Sequence, residues 1–398
     1  MPAARKGLAL LGVFIALGAS WASDWPRWRG PEGNGISSET EWKPQSLARP
    51  KIKWRLNVGA GHSSISIVGK RVYTMGNQGG QDIVSCLDVE TGKLVWHFAY
   101  ACPPGNFAGP RATPAFEGGL LYTLSRKGDA LCLDAESGKV RWSKDLVKEY
   151  RAQTLDYGIA GSPLVVGDAV LYNVLEGGVA LNRTTGEKLW ASAPGPGGYA
   201  TPVAIKHKGK DAAAIFGAHA IAIVDVAKGE KLDSFAWQTQ FDANAADPMF
   251  FDGKLFITSG WDHGCALLDL SGKSIRSMWE NKNLRGQLAS PILWDGCIYG
   301  IDDNTPNGQL RCLDAVTGAV KWTQKGGYEC LSMAGGKLLS IDKKGNLIVV
   351  EAAPTGYKEI VRTPLLSAQA KNWTAPVLAN GFLYCRNGEG ELVCLDVR

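Results

Sequence analysis

The chain has 398 residues, of which 45% are hydrophobic and 20% charged, with a formal net charge of +5. That balance excludes a disordered or fibrous chain, and a small positive surplus scattered along the sequence excludes a nucleic-acid-binding surface. The 49 glycines point to many tight turns, and no Cys-x-x-Cys pair among the nine cysteines offers a zinc or redox centre.

In chain order, Arg5 and Lys6 precede an apolar run over residues 7–18, and Ser20-Trp21-Ala22 places small residues where a signal peptidase reads them. Residues 1–22 are therefore expected to be a signal peptide cleaved near Ala22. The run is too short to span a bilayer, and no cysteine at the cleavage point offers a lipid attachment site. The mature protein is expected to be periplasmic or secreted. Residues 23–49 form an irregular Trp/Gly/Pro-rich arm. Trp25, Trp28 and Trp42 would be costly to expose, so the arm should pack on the rest, as a tether or as a plug over one channel mouth.

From residue 50 onward the sequence repeats. Its most legible copy is Leu133-Asp134-Ala135-Glu136-Ser137-Gly138-Lys139-Val140-Arg141-Trp142. The spacing predicts strand, tight turn, strand: the Asp accepts hydrogen bonds from the turn's own N–H groups, and the Gly takes the positive φ that closes it. Further turn glycines fall at Gly92, Gly186, Gly229, Gly272, Gly318 and Gly356, and successive ones are 38 residues (318 to 356) to 48 residues (138 to 186) apart. Upstream of each box a Ser/Thr-Pro pair opens a second hairpin, as in Thr113-Pro114…Gly118…Tyr122, Ser162-Pro163…Gly167…Tyr172 and Ser290-Pro291…Gly296…Tyr299. Four strands every 40–45 residues predict the blades of a β-propeller.

The last unit stops at Cys394-Leu395-Asp396, where a fourth strand should follow. Lys51–Val58, KIKWRLNV, carries a box-like Trp54 without its turn, so it is expected to complete the C-terminal blade and close the ring. The predicted fold is all-β: one eight-bladed propeller of four-stranded antiparallel blades over residues 50–398. Trp54, Trp96, Trp142, Trp190 and Trp322 are assigned to structural docking between blades. Asp233, Arg276 and Ile360 occupy the box position elsewhere, so blades 4, 5 and 7 should pack less regularly.

The box [Ala/Cys]-Leu-Asp-x-x-[Thr/Ser]-Gly-x-x-x-Trp resembles the tryptophan-docking repeat of the pyrroloquinoline-quinone-type propeller family, over roughly residues 50–398. The arm's Asp24-Trp25-Pro26-Arg27-Trp28-Arg29-Gly30-Pro31 is similar to the lead-in of exported bacterial members. A WD-repeat propeller is disfavoured because Trp261-Asp262 and Trp294-Asp295 fall at unrelated places in their units. The resemblance implies one of two functions. One is a non-catalytic scaffold similar to the outer-membrane assembly propeller lipoproteins. The other is a quinone- and calcium-dependent dehydrogenase of alcohols or sugars. The dehydrogenases carry a vicinal Cys-Cys pair and long insertions that this sequence lacks, so the scaffold is preferred, with no cofactor, no metal and no catalytic residue predicted.

Loops joining one blade's last strand to the next blade's first converge on an axial mouth. They carry His62, Arg111, Tyr157, Tyr199, Arg285 and Trp373, the candidate rim for a protein partner or envelope ligand. Asp247 and Lys371 lie on the same loops. Two oxygen-rich stretches faintly suggest calcium and are read instead as turns: Asp303-x-Thr305-x-Asn307-Gly308, and Asp242, Asn244 and Asp247. Cys86, Cys132, Cys312 and Cys394 sit two residues before the box Asp, where Ala180 stands in another unit, and read as small buried packing residues. A monomer is expected.

Overall fold

A computed structural model describes residues 23–304 and 307–398. The expected signal peptide, residues 1–22, lies outside the described residues, as does Thr305. The polypeptide forms eight antiparallel sheets, seven of four strands and one of five. In chain order the blades span residues 66–101, 115–145, 164–191, 203–236, 249–281, 292–325 and 332–364. The eighth combines residues 377–396 with the strand Lys51–Asn57. A short helix, Leu146–Tyr150, follows blade 2, N-capped by the Asp145 carboxylate, which accepts from the Lys148 N–H at 2.9 Å. No helix among the described residues is long and apolar enough to cross a membrane.

The ring closes as the repeat requires. Lys51–Asn57 runs antiparallel to Glu391–Asp396, with Lys51 opposite Asp396 and Trp54 opposite Cys394. Without that strand, blades 8 and 1 would each present an open flank.

The core lies between blades. One apolar cluster joins Tyr122, Cys132 and Trp142 of blade 2 to Val170, Tyr172 and Leu181 of blade 3. The box tryptophans stand at these seams. Trp54, Trp96, Trp142, Trp190 and Trp322 donate from Nε1 to a carbonyl of the next blade, respectively Val89, Ala135, Arg183, Val226 and Ala353, at 2.8–3.0 Å. The turn glycine is required twice over. Gly138 has φ +71°, and a Cβ there would lie 2.5 Å from the Trp96 ring. The box Asp works inside its own turn: Asp134 accepts from the Ser137 N–H and hydroxyl and pairs with Arg141, which hold its carboxyl down at about 2.

Two box positions need correction. In blade 5 the place opposite Leu267 is held by Trp279, not Arg276; Arg276 instead faces and pairs with Asp269. In blade 7 the place opposite Val349 is held by buried Val361, not Ile360. Both turns are two residues longer: Trp279 and Val361 follow Asp269 and Glu351 by ten, whereas Trp96 follows Asp88 by eight. Trp279 lies under Gly318 of blade 6, but its Nε1 finds no acceptor. In blade 4 the slot does hold Asp233, whose carboxylate accepts from the Ile275 N–H of blade 5 at 2.8 Å.

All nine cysteines are free and buried. Cys86, Cys132, Cys312 and Cys394 are each 0% exposed, and Ala180 is equally covered.

Candidate functional site: the axial mouth

The Ser/Thr of the Ser/Thr-Pro pairs join an inner chain of hydrogen bonds that runs from blade 1 to blade 6. The Ser64 N–H donates to Thr113 Oγ1, Thr113 N–H to Ser162 Oγ, and Ser162 N–H to Thr201 Oγ1. Thr201 N–H then donates to Asp247 Oδ1, and Asp247 N–H to Ser290 Oγ, all at 2.7–3.0 Å. Asp247-Pro248 thus takes the Ser/Thr-Pro place of blade 5. A carboxylate there keeps that contact and has a second oxygen to spare.

The arm uses that oxygen. Residues 25–37 pack against the inner strands of the blades, while Trp42 and Leu47 pack beside Val361 and Leu365 at blade 7. Trp25 bridges Ile67 of blade 1, and Pro26 accepts from the Phe116 N–H of blade 2. Trp28 Nε1 donates to Asp247 Oδ2 at 2.5 Å. Arg29, 8% exposed, donates to the carbonyls of Gly33, Asn34 and Pro291. Gly30 allows the bend: its φ is +81°, and a Cβ would sit 2.8 Å from the Trp25 ring. The chain then returns as Ile36–Ser37, a fifth, parallel strand on the inner edge of blade 7. Asp247 is 5% exposed. Burial pushes its carboxyl above the usual range, opposed by the Arg29 charge and the Trp28 hydrogen bond.

Above Trp28 a cavity of about 320 Å³ opens to solvent. It gathers His62, Arg111, Tyr157, Tyr199 and Trp373 from the expected rim, together with Asp247. Arg285 stands apart, tied to Asp302 and Asp262 at 2.8–3.1 Å. Lys371 lies 5.8 Å from the Trp373 ring. Sequence reasoning missed Trp28, Phe107, Trp261 and Gln287. Only Trp28 carried a signal, as an arm indole; Phe107 and Trp261 sit at no repeated position.

The rings touch in series. His62 lies 4.7 Å from Trp373, Trp373 is 5.5 Å from Phe107, Phe107 is 6.0 Å from Tyr157, and Tyr157 is 5.8 Å from Tyr199. On the opposite wall Trp261 meets Phe241 edge-on at 4.4 Å. Burial and the nearby Arg111 and Arg386 hold His62 down at about 3, so its imidazole is neutral at physiological pH.

The oxygen-rich stretches are otherwise engaged. Part-buried Asp303 accepts from the Gln287 and Leu288 N–H groups, which presents Gln287 to the cavity, and desolvation pushes its carboxyl up to about 7. Asn244 donates to the Gly217, Ala218 and Trp237 carbonyls, while Asp242 accepts from Gln238. Among the described residues no three His, Cys, Asp or Glu side chains come together to hold a metal ion.

The model of the family described as outer membrane protein assembly factor BamB matches residues 79–324. The chain belongs to that family. The BamB-family relative from Yersinia pestis is 25% identical over 366 residues, covering 88% of this chain and 79% of its own length. The crystal structure of BamB from Moraxella catarrhalis superposes with a TM-score of 0.67 at 17% identity, covering 87% of this chain and 99% of that one. Quinohemoprotein alcohol dehydrogenase from Comamonas testosteroni gives a TM-score of 0.72 at 14% identity, over 95% and 81% of the two chains. Both structural likenesses show the shared propeller fold. Within a BamB-family propeller, the arm-floored cavity is what this chain places on its axis.

Proposed function

We propose that this chain is an exported, non-catalytic propeller scaffold of the cell envelope, monomeric, that holds a protein partner or envelope ligand at its axial mouth. One observation carries the reading: the channel is plugged by the chain's own arm and opens on the other side into a cavity rimmed by exposed aromatics. Such rings supply contact area at low entropic cost, the chemistry of a recognition surface. The name outer membrane protein assembly factor, borne by the relatives, supports a protein partner and an envelope location. The reading takes residues 1–22 as a removed signal, 23–49 as the arm and 50–398 as the propeller, with Trp54, Trp96, Trp142, Trp190 and Trp322 binding blade to blade.

A calcium-held quinone, the requirement of the dehydrogenase alternative, does not fit these residues. Asp247, the carboxylate at the axis, has both oxygens bonded, to the Trp28 indole and the Thr201 amide. The remaining lining is mostly aromatic and aliphatic, with Arg111, His62, Gln287, Ser162 and Thr201 and no second carboxylate.

The test places a photo-crosslinking side chain at Phe107 and, as a control, at Val316 on the outer rim, 72% exposed. Crosslinks to an envelope component from Phe107 and not Val316, lost in Trp261→Ala, are expected. Equal labelling from both positions would overturn the mouth as the binding face. Tight binding of pyrroloquinoline quinone with calcium, with alcohol-dependent dye reduction, would overturn the non-catalytic reading.

A further inference from the structure

The axial cavity carries a chemical bias that the scaffold reading leaves open. Phe107 and Trp261 of its lining are 48% and 36% exposed. Both occupy backbone that favours glycine: φ is +57° at Phe107 and +54° at Trp261. A loop tip indifferent to its side chain would settle on glycine or asparagine there. Large rings held at such positions, facing a cavity, are the pattern of a ligand clamp.

The polar content is lopsided. Arg111 lines the cavity between the Phe107–Tyr157 wall and Tyr199. All its hydrogen bonds go to main-chain carbonyls, from Nη1 to Gly109 at 2.9 Å and from Nη2 to Asn106 and Phe107 at 2.7 and 2.8 Å. Among the described residues no carboxylate lies within ion-pair distance of it. Burial, with the repulsion of Arg126, holds its guanidinium down at about 10 against the more distant pull of Asp82. The one acidic residue of the lining, Asp247, has both oxygens bonded. His62 is uncharged, and Gln287, Ser162, Thr201 and the Tyr157 and Tyr199 hydroxyls are the other polar groups. A neutral sugar would bring no charge to meet the guanidinium. A flat ring would find stacking surfaces, and an acid group would find a guanidinium without an ion-pair partner.

We propose that the axial cavity binds a small aromatic carboxylate, its ring against Trp373, Phe107 and Trp261 and its carboxylate at Arg111. A cavity of about 320 Å³ accommodates one or two fused rings with a short acid arm. The inference rests on the mouth being the binding face, and its test separates the two.

The experiment titrates the signal-free full chain with indole-3-acetate, its uncharged match indole-3-acetamide, and galacturonate, by calorimetry and tryptophan fluorescence. The acid should bind at least about tenfold more tightly than the amide, a lead that shrinks in high salt. Arg111→Met should abolish the lead, Arg111→Lys should keep part of it, and Trp261→Ala should weaken acid and amide alike. Equal binding of acid and amide, or a lead that survives Arg111→Met or high salt, overturns the proposal. Galacturonate binding in place of the indoles reassigns the site to sugar acids and overturns it as well. Should Arg111→Met fail to fold, the salt dependence of the wild-type chain still decides. Failure of every probe sinks the ligand class alone if Phe107 still crosslinks an envelope component, and sinks both readings if it does not.

Discussion

At the outer seams, Trp54, Trp96, Trp142 and Trp190 are 7–8% exposed or only partly buried, and each spends its indole N–H on the next blade. At the axial mouth, Trp28, Trp261 and Trp373 line open space, and Trp28, which comes from the arm outside the repeat, donates its N–H to Asp247 of blade 5. The same residue type therefore does two jobs. At the seam its position is dictated eight residues after the box Asp, and its environment is supplied by the neighbouring copy of the same unit. At the mouth each ring comes from a different irregular segment, and Trp261, like Phe107 beside the cavity, sits on backbone that glycine would occupy more cheaply. Regularity belongs to holding the ring together, and the departures from it gather at the axial cavity.

The comparison can be broken most severely at the closing strand. Deleting residues 50–58 should leave one edge of Glu391–Asp396 unpaired and shift the protein to aggregate in size-exclusion chromatography. A deletion variant that stays monomeric with unchanged melting would end the closure argument. Next in size, Trp142→Ala should cost about 3–5 kcal/mol in urea unfolding, the cost of emptying a large aromatic site. Trp279→Ala should cost roughly 1 kcal/mol less, because its Nε1 makes no hydrogen bond to lose. Equal costs would show that the seam depends on ring volume alone.

A smaller effect is expected at the arm. Trp28→Ala leaves the enclosed Asp247 carboxylate short of one donor and should cost about 1–3 kcal/mol. Adding Asp247→Ser, the residue that Ser162 and Ser290 supply at the same place in other blades, should recover part of that loss. No recovery would mean that the carboxylate is not the reason for the arm's anchorage.

The smallest effect is a pH dependence. His62 has its folded pKa lowered to about 3 from 6.5. Above pH 6.5 both states leave it neutral. As pH falls from 6.5 towards 3 the unfolded chain takes up a proton that the folded chain refuses, so folding is progressively disfavoured. His62→Phe, which keeps a ring against Trp373, should flatten the decline in melting temperature over that window and leave it unchanged above pH 7. An identical decline in both proteins would refute a neutral His62.

Much of this was legible in the residues. The Asp-turn-Gly-Trp box, its spacing and the missing fourth strand of the last unit together specify blade count, strand order and closure, because each follows from short-range hydrogen bonding plus the need to cover sheet edges. The misreadings were local: Arg276 and Ile360 were assigned by counting from the turn glycine, and a turn two residues longer moved the slot to Trp279 and Val361. At the mouth, loop position alone found His62, Arg111, Tyr157, Tyr199 and Trp373. It also included Arg285, since counting along a loop cannot show that Asp302 and Asp262 will claim its guanidinium.

The sequence by itself determined the ring: periodic contacts between like units are encoded in every unit and are read by repetition. Only the tertiary structure decided that the arm enters the channel, that Trp28 meets Asp247 across 219 residues, and that Phe107 and Trp261 share one cavity. Those contacts join segments with no common period, and their geometry exists only after eight blades have closed around an axis.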